Sequence, residues 1–131
     1  MQRTSALYRA VASVAVPLVP AILRDERQRE AHRARLESPA TIEQWARAHR
    51  DPSRPLAWFH APSVGEGLQA WAVVAAFRSL RSDLQIVYTN YSPSAVTLAQ
   101  TIGADWSGYL CYDRAGDVDR MLTAAAPELL V

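Results

Sequence analysis

The sequence predicts an α/β fold: a parallel sheet with helices on both faces, preceded by an apolar N-terminal helix. Three observations predict it. From Pro55 onward, four short apolar runs alternate with three longer helical patterns. Ser-, Pro- and Gly-containing turns join the first two runs to the helices that follow them. Before Pro55 the composition is different: an apolar stretch at residues 5–23, then an arginine-rich one.

The bulk numbers agree with one small globular domain. A chain of 131 residues, half of them hydrophobic, is long enough for its own core. Net charge is +1, so no strongly basic field recruits nucleic acid. All 14 basic residues are Arg. Cys111 is the sole cysteine, which excludes an intrachain disulfide and fits a reducing compartment. His32, His49 and His60 are scattered, with no Cys or His pair at metal-ligand spacing. No metal or cofactor is therefore expected, and structural or solvated roles are expected for the three histidines.

Residues 5–23 fall slightly short of the roughly 20 apolar residues a membrane span needs, and they contain Arg9, Pro17 and Pro20. A small-residue cleavage site is missing, which argues against a secretory signal. The next segment, Arg24 to Arg35, holds five Arg residues among Asp25, Glu26 and Glu30. Positive charge just after an apolar stretch places that side in the cytoplasm. Residues 1–24 are expected to form a membrane-anchor helix, spanning the bilayer or lying in its interface. The alternative is a helix docked on the remainder of a larger protein. Residues 25–54 read as a basic, polar connector with a short helix at 43–50, ended by Asp51-Pro-Ser-Arg-Pro55.

Residues 55–131 carry the alternating pattern. Leu56–Phe59 is the first strand, and Leu68–Leu80 the first helix, with Ala70, Val73, Val74, Phe77 and Leu80 on one face. Leu84–Thr89 is the second strand. Ser92–Ile102 is the second helix, with Ser92 as N-cap, Pro93 at the first helical position and Gly103 just past the end. Tyr109–Tyr112, Asp117–Ala125 and Glu128–Val131 follow as strand, helix and strand. Right-handed crossovers make this a Rossmann-like sheet. Such sheets bind ligands at the carboxyl ends of their strands, where the Ser63–Glu66 and Asn90–Ser94 turns both lie. The sequence stops inside the fourth strand, so the domain is expected to be incomplete at its C-terminus.

The segment His60-Ala-Pro-Ser-Val-Gly-Glu-Gly67 is the candidate site. A strand, a tight turn and a helix put backbone N–H groups and one carboxylate at a single mouth. Each residue also has a structural reading. Glu66 complements a helix dipole, Gly65 supplies a turn, and Ser92 and Ser94 cap a helix. Trp45, Trp58, Trp71 and Trp106 are expected to be core or interfacial aromatics.

The order of motifs points to a family. An apolar anchor is followed by Trp58-Phe-His-Ala-Pro-Ser-Val-Gly-Glu66 and Tyr88-Thr-Asn-Tyr-Ser-Pro-Ser-Ala95, then by Tyr109-Leu-Cys-Tyr-Asp113 and Pro127-Glu-Leu-Leu-Val131. With 26 residues from Glu66 to Ser92, this resembles the N-terminal half of the 3-deoxy-D-manno-octulosonic acid (Kdo) transferases, which add Kdo to lipid A in lipopolysaccharide synthesis. The resemblance implies a two-domain glycosyltransferase of the GT-B type, with Rossmann-like halves facing across a cleft. It makes the N-terminal half the acceptor side, and it assigns CMP-Kdo to a C-terminal domain that this sequence does not contain. It makes Glu66 the general base, taking the proton of an acceptor hydroxyl as that oxygen attacks the anomeric carbon, with loss of CMP and inversion.

The backbone N–H groups around Ser63 and Gly65 are expected to hold a lipid A phosphate or the donor carboxylate, and Ser92 and Ser94 to contact the acceptor or only to cap their helix. The partners implied are CMP-Kdo, a lipid A precursor and the membrane, at the cytoplasmic face of the inner membrane, with no nucleic acid. One departure stands out. A Gly-Glu-Arg-like stretch of the family is replaced by Arg35-Leu-Glu-Ser-Pro39, so no role passes to Glu37 or Glu43. The chain alone is expected to be inactive. Alternative readings are a membrane-associated GT-B enzyme using another nucleotide sugar, and a non-catalytic membrane-tethered remnant.

Overall fold

A computed structural model describes residues 6–131. Helix α1 spans Ala6–Ala15 and gives way to a 3-10 segment, Val16–Ala21. Pro17 and Pro20 lie in that segment; proline lacks the N–H that an α-helix needs and clashes with the preceding turn. Among the described residues no helix is long and apolar enough to cross a membrane. The expected anchor over residues 1–24 is therefore broken rather than continuous, and its first five residues lie outside the described ones. Val16 is buried, while Leu7, Val11, Val14, Leu18 and Ile22 are exposed.

Where a polar connector with a helix at 43–50 was expected, the chain forms a 24-residue helix, α2, Glu26–His49. Asp25 caps it, accepting a hydrogen bond from the Arg27 N–H at 3.1 Å. Its buried residues, Ala31, His32, Arg35, Ser38, Pro39 and Ile42, fall on one stripe at helical spacing. Half of that stripe is polar, which hides it from a hydropathy reading. The Glu43 carboxylate takes two hydrogen bonds from Arg120, both at 2.8 Å, and so joins α2 to helix α5, Asp117–Ala125.

Four strands make the sheet: β1 Leu56–His60, β2 Gln85–Asn90, β3 Trp106–Tyr109 and β4 Leu129–Leu130. All neighbours are parallel, in the order β3-β2-β1-β4. Helices α3, Val64–Leu80, and α4, Val96–Thr101, cover one face; α2 and α5 cover the other. Strand alternation builds both cores. Ala57, Phe59, Ile86 and Tyr88 pack with Val74 of α3 and Ala99 of α4. Leu56, Trp58 and Val87 pack with Ile42 of α2 and Met121 of α5. Each large apolar side chain fully buried here contributes about 1.5–3 kcal/mol.

Helix α3 starts at Val64 rather than Leu68, and two further expectations shift. The third strand occupies 106–109, not 109–112. Asp105 sets that register: its N–H donates to the Ile86 carbonyl at 2.8 Å, and its carboxylate accepts from the Ile86 N–H at 2.6 Å. The later residues form a loop that buries Cys111 against α5. On α3, Val74 is buried and Ala70 and Phe77 are partly so, but Val73 is 42% and Leu80 81% exposed. The inward stripe runs through Gly67, Ala70, Val74 and Phe77, one row over from the line of Val73 and Leu80.

The second helix has Ser92 as its cap and begins with a 3-10 turn, Pro93–Ala95, before α4 proper. Gly103, at φ +81°, ends it in the left-handed region that glycine enters without penalty. The amino edge of the sheet is clamped by Arg50. Its guanidinium donates to the Ala125 carbonyl at 2.8 Å, the Arg54 carbonyl at 2.7 Å, Gln85 Oε1 at 3.1 Å and the Asp51 carbonyl.

Candidate active site

At the carboxyl edge β1 ends in His60, and α3 begins four residues later at Val64. The Ala61 N–H donates to the Thr89 carbonyl at 3.0 Å, which extends the β1–β2 pairing past the strand end. The Pro62 carbonyl then accepts two N–H groups, Ser92 at 2.7 Å and Tyr91 at 3.3 Å. Asn90, fully buried, donates from Nδ2 to the Ser92 carbonyl at 3.0 Å. These bonds bring the Ser63–Glu66 turn and the Ser92–Ser94 turn together at one edge. Ser92 and Ser94 share a hydrogen bond between hydroxyls at 2.8 Å, and Ser92 also caps its own turn.

Glu66 sits in the first turn of α3 and is exposed. The Ser63 hydroxyl donates to its carboxylate. Ser63 occupies the N-cap position, yet its side chain makes no bond to the helix backbone. The Ser-x-x-Glu spacing of a capping box is present, but its serine serves the glutamate, and no side chain caps the first N–H groups of α3. Gly65 does not need glycine's special backbone: only Gly103 and Gly116 have positive φ among the glycines. A Cβ at Gly65 would meet only Ser63 Oγ, at 3.9 Å. The turn-forming role expected for Gly65 is thus not what the backbone requires. Gly67 differs, since a Cβ there would lie 2.6 Å from Leu98 Cδ2 and 2.9 Å from the Tyr88 hydroxyl.

Glu66, His60, Gln69, Val73 and Val131 line a cavity of about 240 Å³. A second cavity of about 380 Å³, with an almost wholly apolar lining, opens on the α5 side, and His60 lines both. The His60 ring accepts or donates at Nδ1 to Thr89 Oγ1, 3.0 Å away. Burial lowers the pKa of His60, opposed by the Thr89 backbone and by the Glu66 charge. Tyr88 is pushed up, first by burial and then by Glu66, and its buried hydroxyl has no hydrogen-bond partner among the described residues. Burial, followed by the charge of Asp117, pushes the Cys111 thiol up to about 11, so it stays protonated and unreactive at neutral pH.

Sequence reasoning missed the support behind this edge. Arg35 of α2 reaches across and donates to the Tyr91 carbonyl and, at 3.3 Å, to the Tyr112 hydroxyl. Its guanidinium lies 3.9 Å from the Tyr91 ring centroid, 5.2 Å from that of Tyr109 and 5.6 Å from that of Tyr112. His32 holds the same Tyr112 hydroxyl through Nδ1 at 2.8 Å. Its pKa is lowered by burial first and the Arg35 charge second. The available signal was His32 and Arg35 three residues apart on a helix, with tyrosines following β2 and β3. Trp58 is buried, Trp45 and Trp106 are partly so, and Trp71 is half exposed. Among the described residues no cluster of His, Cys, Asp and Glu side chains is arranged to hold a metal ion.

The model of one protein family, 3-deoxy-D-manno-octulosonic-acid transferase (Kdo transferase), matches residues 26–131. That span starts with α2 and takes in every strand. No curated protein and no solved structure matches the chain. A parallel four-stranded sheet with helices on both faces fits a Rossmann-like glycosyltransferase domain. With Glu66 and the two serine turns at its carboxyl edge, and a family match over all but the first 25 residues, the chain belongs to the Kdo transferase family of glycosyltransferases.

Proposed function

We propose that this chain forms the acceptor half of a GT-B enzyme that transfers Kdo from CMP-Kdo to a lipid A precursor, with Glu66 as general base. The observation that carries the reading is the position of Glu66, an exposed carboxylate lining a cavity at the carboxyl edge of a parallel sheet. There it takes the proton of the attacking hydroxyl as the bond to the anomeric carbon forms and CMP departs. The Ser63 hydroxyl orients the carboxylate and leaves the first turn of α3 uncapped by a side chain. Those N–H groups, around Gly65, receive a lipid A phosphate or the Kdo carboxylate. Since Gly65 is demanded neither by φ nor by a neighbour within the protein, close approach of a ligand accounts for it. Ser92 and Ser94 contact the acceptor from the adjoining turn. CMP binds in a C-terminal domain that closes over this edge.

On this reading α1 and the 3-10 segment after it lie in the interface of the cytoplasmic leaflet, with Leu7, Val11 and Val14 of the helix and Leu18 of the segment toward the acyl chains. The test is Kdo transfer by the full-length protein carrying Glu66→Gln. The expected loss is on the order of 10²-fold or more in kcat with folding intact. Retained transfer in that variant sinks the base assignment. Transfer from another nucleotide sugar, but not from CMP-Kdo, sinks the donor assignment.

A further inference from the structure

The hydrogen bonds behind His60 favour one position for its ring proton. The Trp58 indole N–H can only donate, and it donates to Thr89 Oγ1 at 2.9 Å, with both residues buried. The Thr89 hydroxyl has one proton to give. Two acceptors are within reach: His60 Nδ1 at 3.0 Å and the Phe59 carbonyl at 3.4 Å. The shorter bond goes to His60, so Nδ1 accepts and the neutral ring keeps its proton on Nε2. The opposite tautomer would load two donors onto Thr89 Oγ1 and push its own proton onto the longer contact. Nε2 has no hydrogen-bond partner among the described residues, and the ring is exposed where it lines the cavity that Glu66 also lines.

We propose that His60 is a second acceptor-binding residue, a neutral imidazole whose Nε2–H donates to an oxygen of the same sugar whose attacking hydroxyl is held by Glu66. This rests on the acceptor reading of the cavity. A carboxylate and a neutral N–H side by side form an acceptor–donor pair, the combination that a saccharide with several oxygens satisfies. Fixing two oxygens of one ring orients the attacking hydroxyl, which is worth more to the rate than either bond alone. Burial of the ring's inner side keeps His60 neutral, so the donor persists at neutral pH.

Long-range ¹H–¹⁵N NMR of the native chain reads the tautomer directly, and a titration with the deacylated, bisphosphorylated glucosamine disaccharide of lipid A reads the contact. The expected result is a proton on Nε2 in the free chain and a shift of that resonance on binding. His60→Gln, whose amide reaches the Nε2 position, keeps affinity within about threefold. His60→Asn, whose amide reaches only the Thr89 side, weakens binding about tenfold. A proton on Nδ1, or an unmoved His60 resonance in a chain that binds the disaccharide, overturns the proposal and leaves the acceptor reading standing. A disaccharide that does not bind the native chain overturns the acceptor reading and the ligand named here with it. If His60→Asn fails to fold by circular dichroism, the native-chain spectra and the glutamine variant still decide.

Discussion

Helix α2 buries His32, Arg35, Ser38 and Pro39, whereas α3, on the opposite face of the sheet, leaves Leu68, Trp71, Val73 and Leu80 exposed. By composition the two helices belong the other way round. The difference lies in what each must hold. α2 supports loops at the carboxyl edge, which offer carbonyls and hydroxyls, so its inward side chains form hydrogen bonds: Arg35 donates to the Tyr91 carbonyl and the Tyr112 hydroxyl, and His32 Nδ1 pairs with the same hydroxyl. α3 faces Phe59, Ile86 and Tyr88 and needs only small and apolar groups there: Gly67, Ala70, Val74 and Phe77. Its outward apolar side chains are therefore surplus to the fold. Hydropathy tells what a residue can bury alone; hydrogen-bond supply decides what a helix buries here.

The sharpest way to break this comparison is Arg35→Ala. It leaves the Tyr91 carbonyl without its donor and opens space among three tyrosines, so the expected cost is about 3 kcal/mol in urea denaturation. A cost under about 1 kcal/mol would make the α2 stripe ornamental. Arg35→Lys should recover little, because one ammonium cannot reach both oxygens in the plane that stacks on Tyr91.

Acidification probes that stripe at His32 and the carboxyl edge of the sheet at His60. His32 and His60 both have folded values lowered from 6.5, burial being the first cause in each. The unfolded chain therefore binds more protons as pH falls below about 6.5, and stability should drop between pH 7 and pH 5. A denaturation midpoint that rises over that interval contradicts the burial of these rings. Glu43, held low by Arg120, enters only when pH falls through the carboxylate range.

On α3 the effects should be smaller. Gly67→Ala crowds Leu98 and Tyr88, with overpacking of about 1–3 kcal/mol partly offset by the roughly 1 kcal/mol that alanine gains in helix propensity. A net loss near 1 kcal/mol is expected. Gly65→Ala, two residues earlier, should leave stability unchanged or raise it by about 0.5 kcal/mol while impairing transfer. A destabilised, fully active variant would reverse the assignment of that glycine. Trp71→Ser on the outward face should move stability by under about 0.5 kcal/mol.

Much of the sheet could be read in advance because its strands are apolar on both sides, and alternation with helices then leaves few topologies. The helix over 117–125 has the expected limits. What stayed hidden depended on partners distant in sequence. Asp105 moves β3 three residues earlier by bonding Ile86, and nothing local to Tyr109–Tyr112 announces it. The α2 stripe escaped for a related reason, since Arg35 is apolar only in the company of Tyr91, Tyr109 and Tyr112. At the edge itself, Glu66 and the serine turns could be found from spacing, whereas His60 read as a scattered histidine until Trp58 and Thr89 were placed behind it.

The Pro62 carbonyl, shared by the N–H groups of Tyr91 and Ser92, makes the two serine turns one heritable unit. Proline in that place has no N–H of its own to compete, and its fixed φ aims the carbonyl. Exchanging either turn alone for one of different length would pull that carbonyl away from its N–H groups. Recombination between relatives should therefore succeed only when the crossover points enclose both turns, with β2 carried along between them.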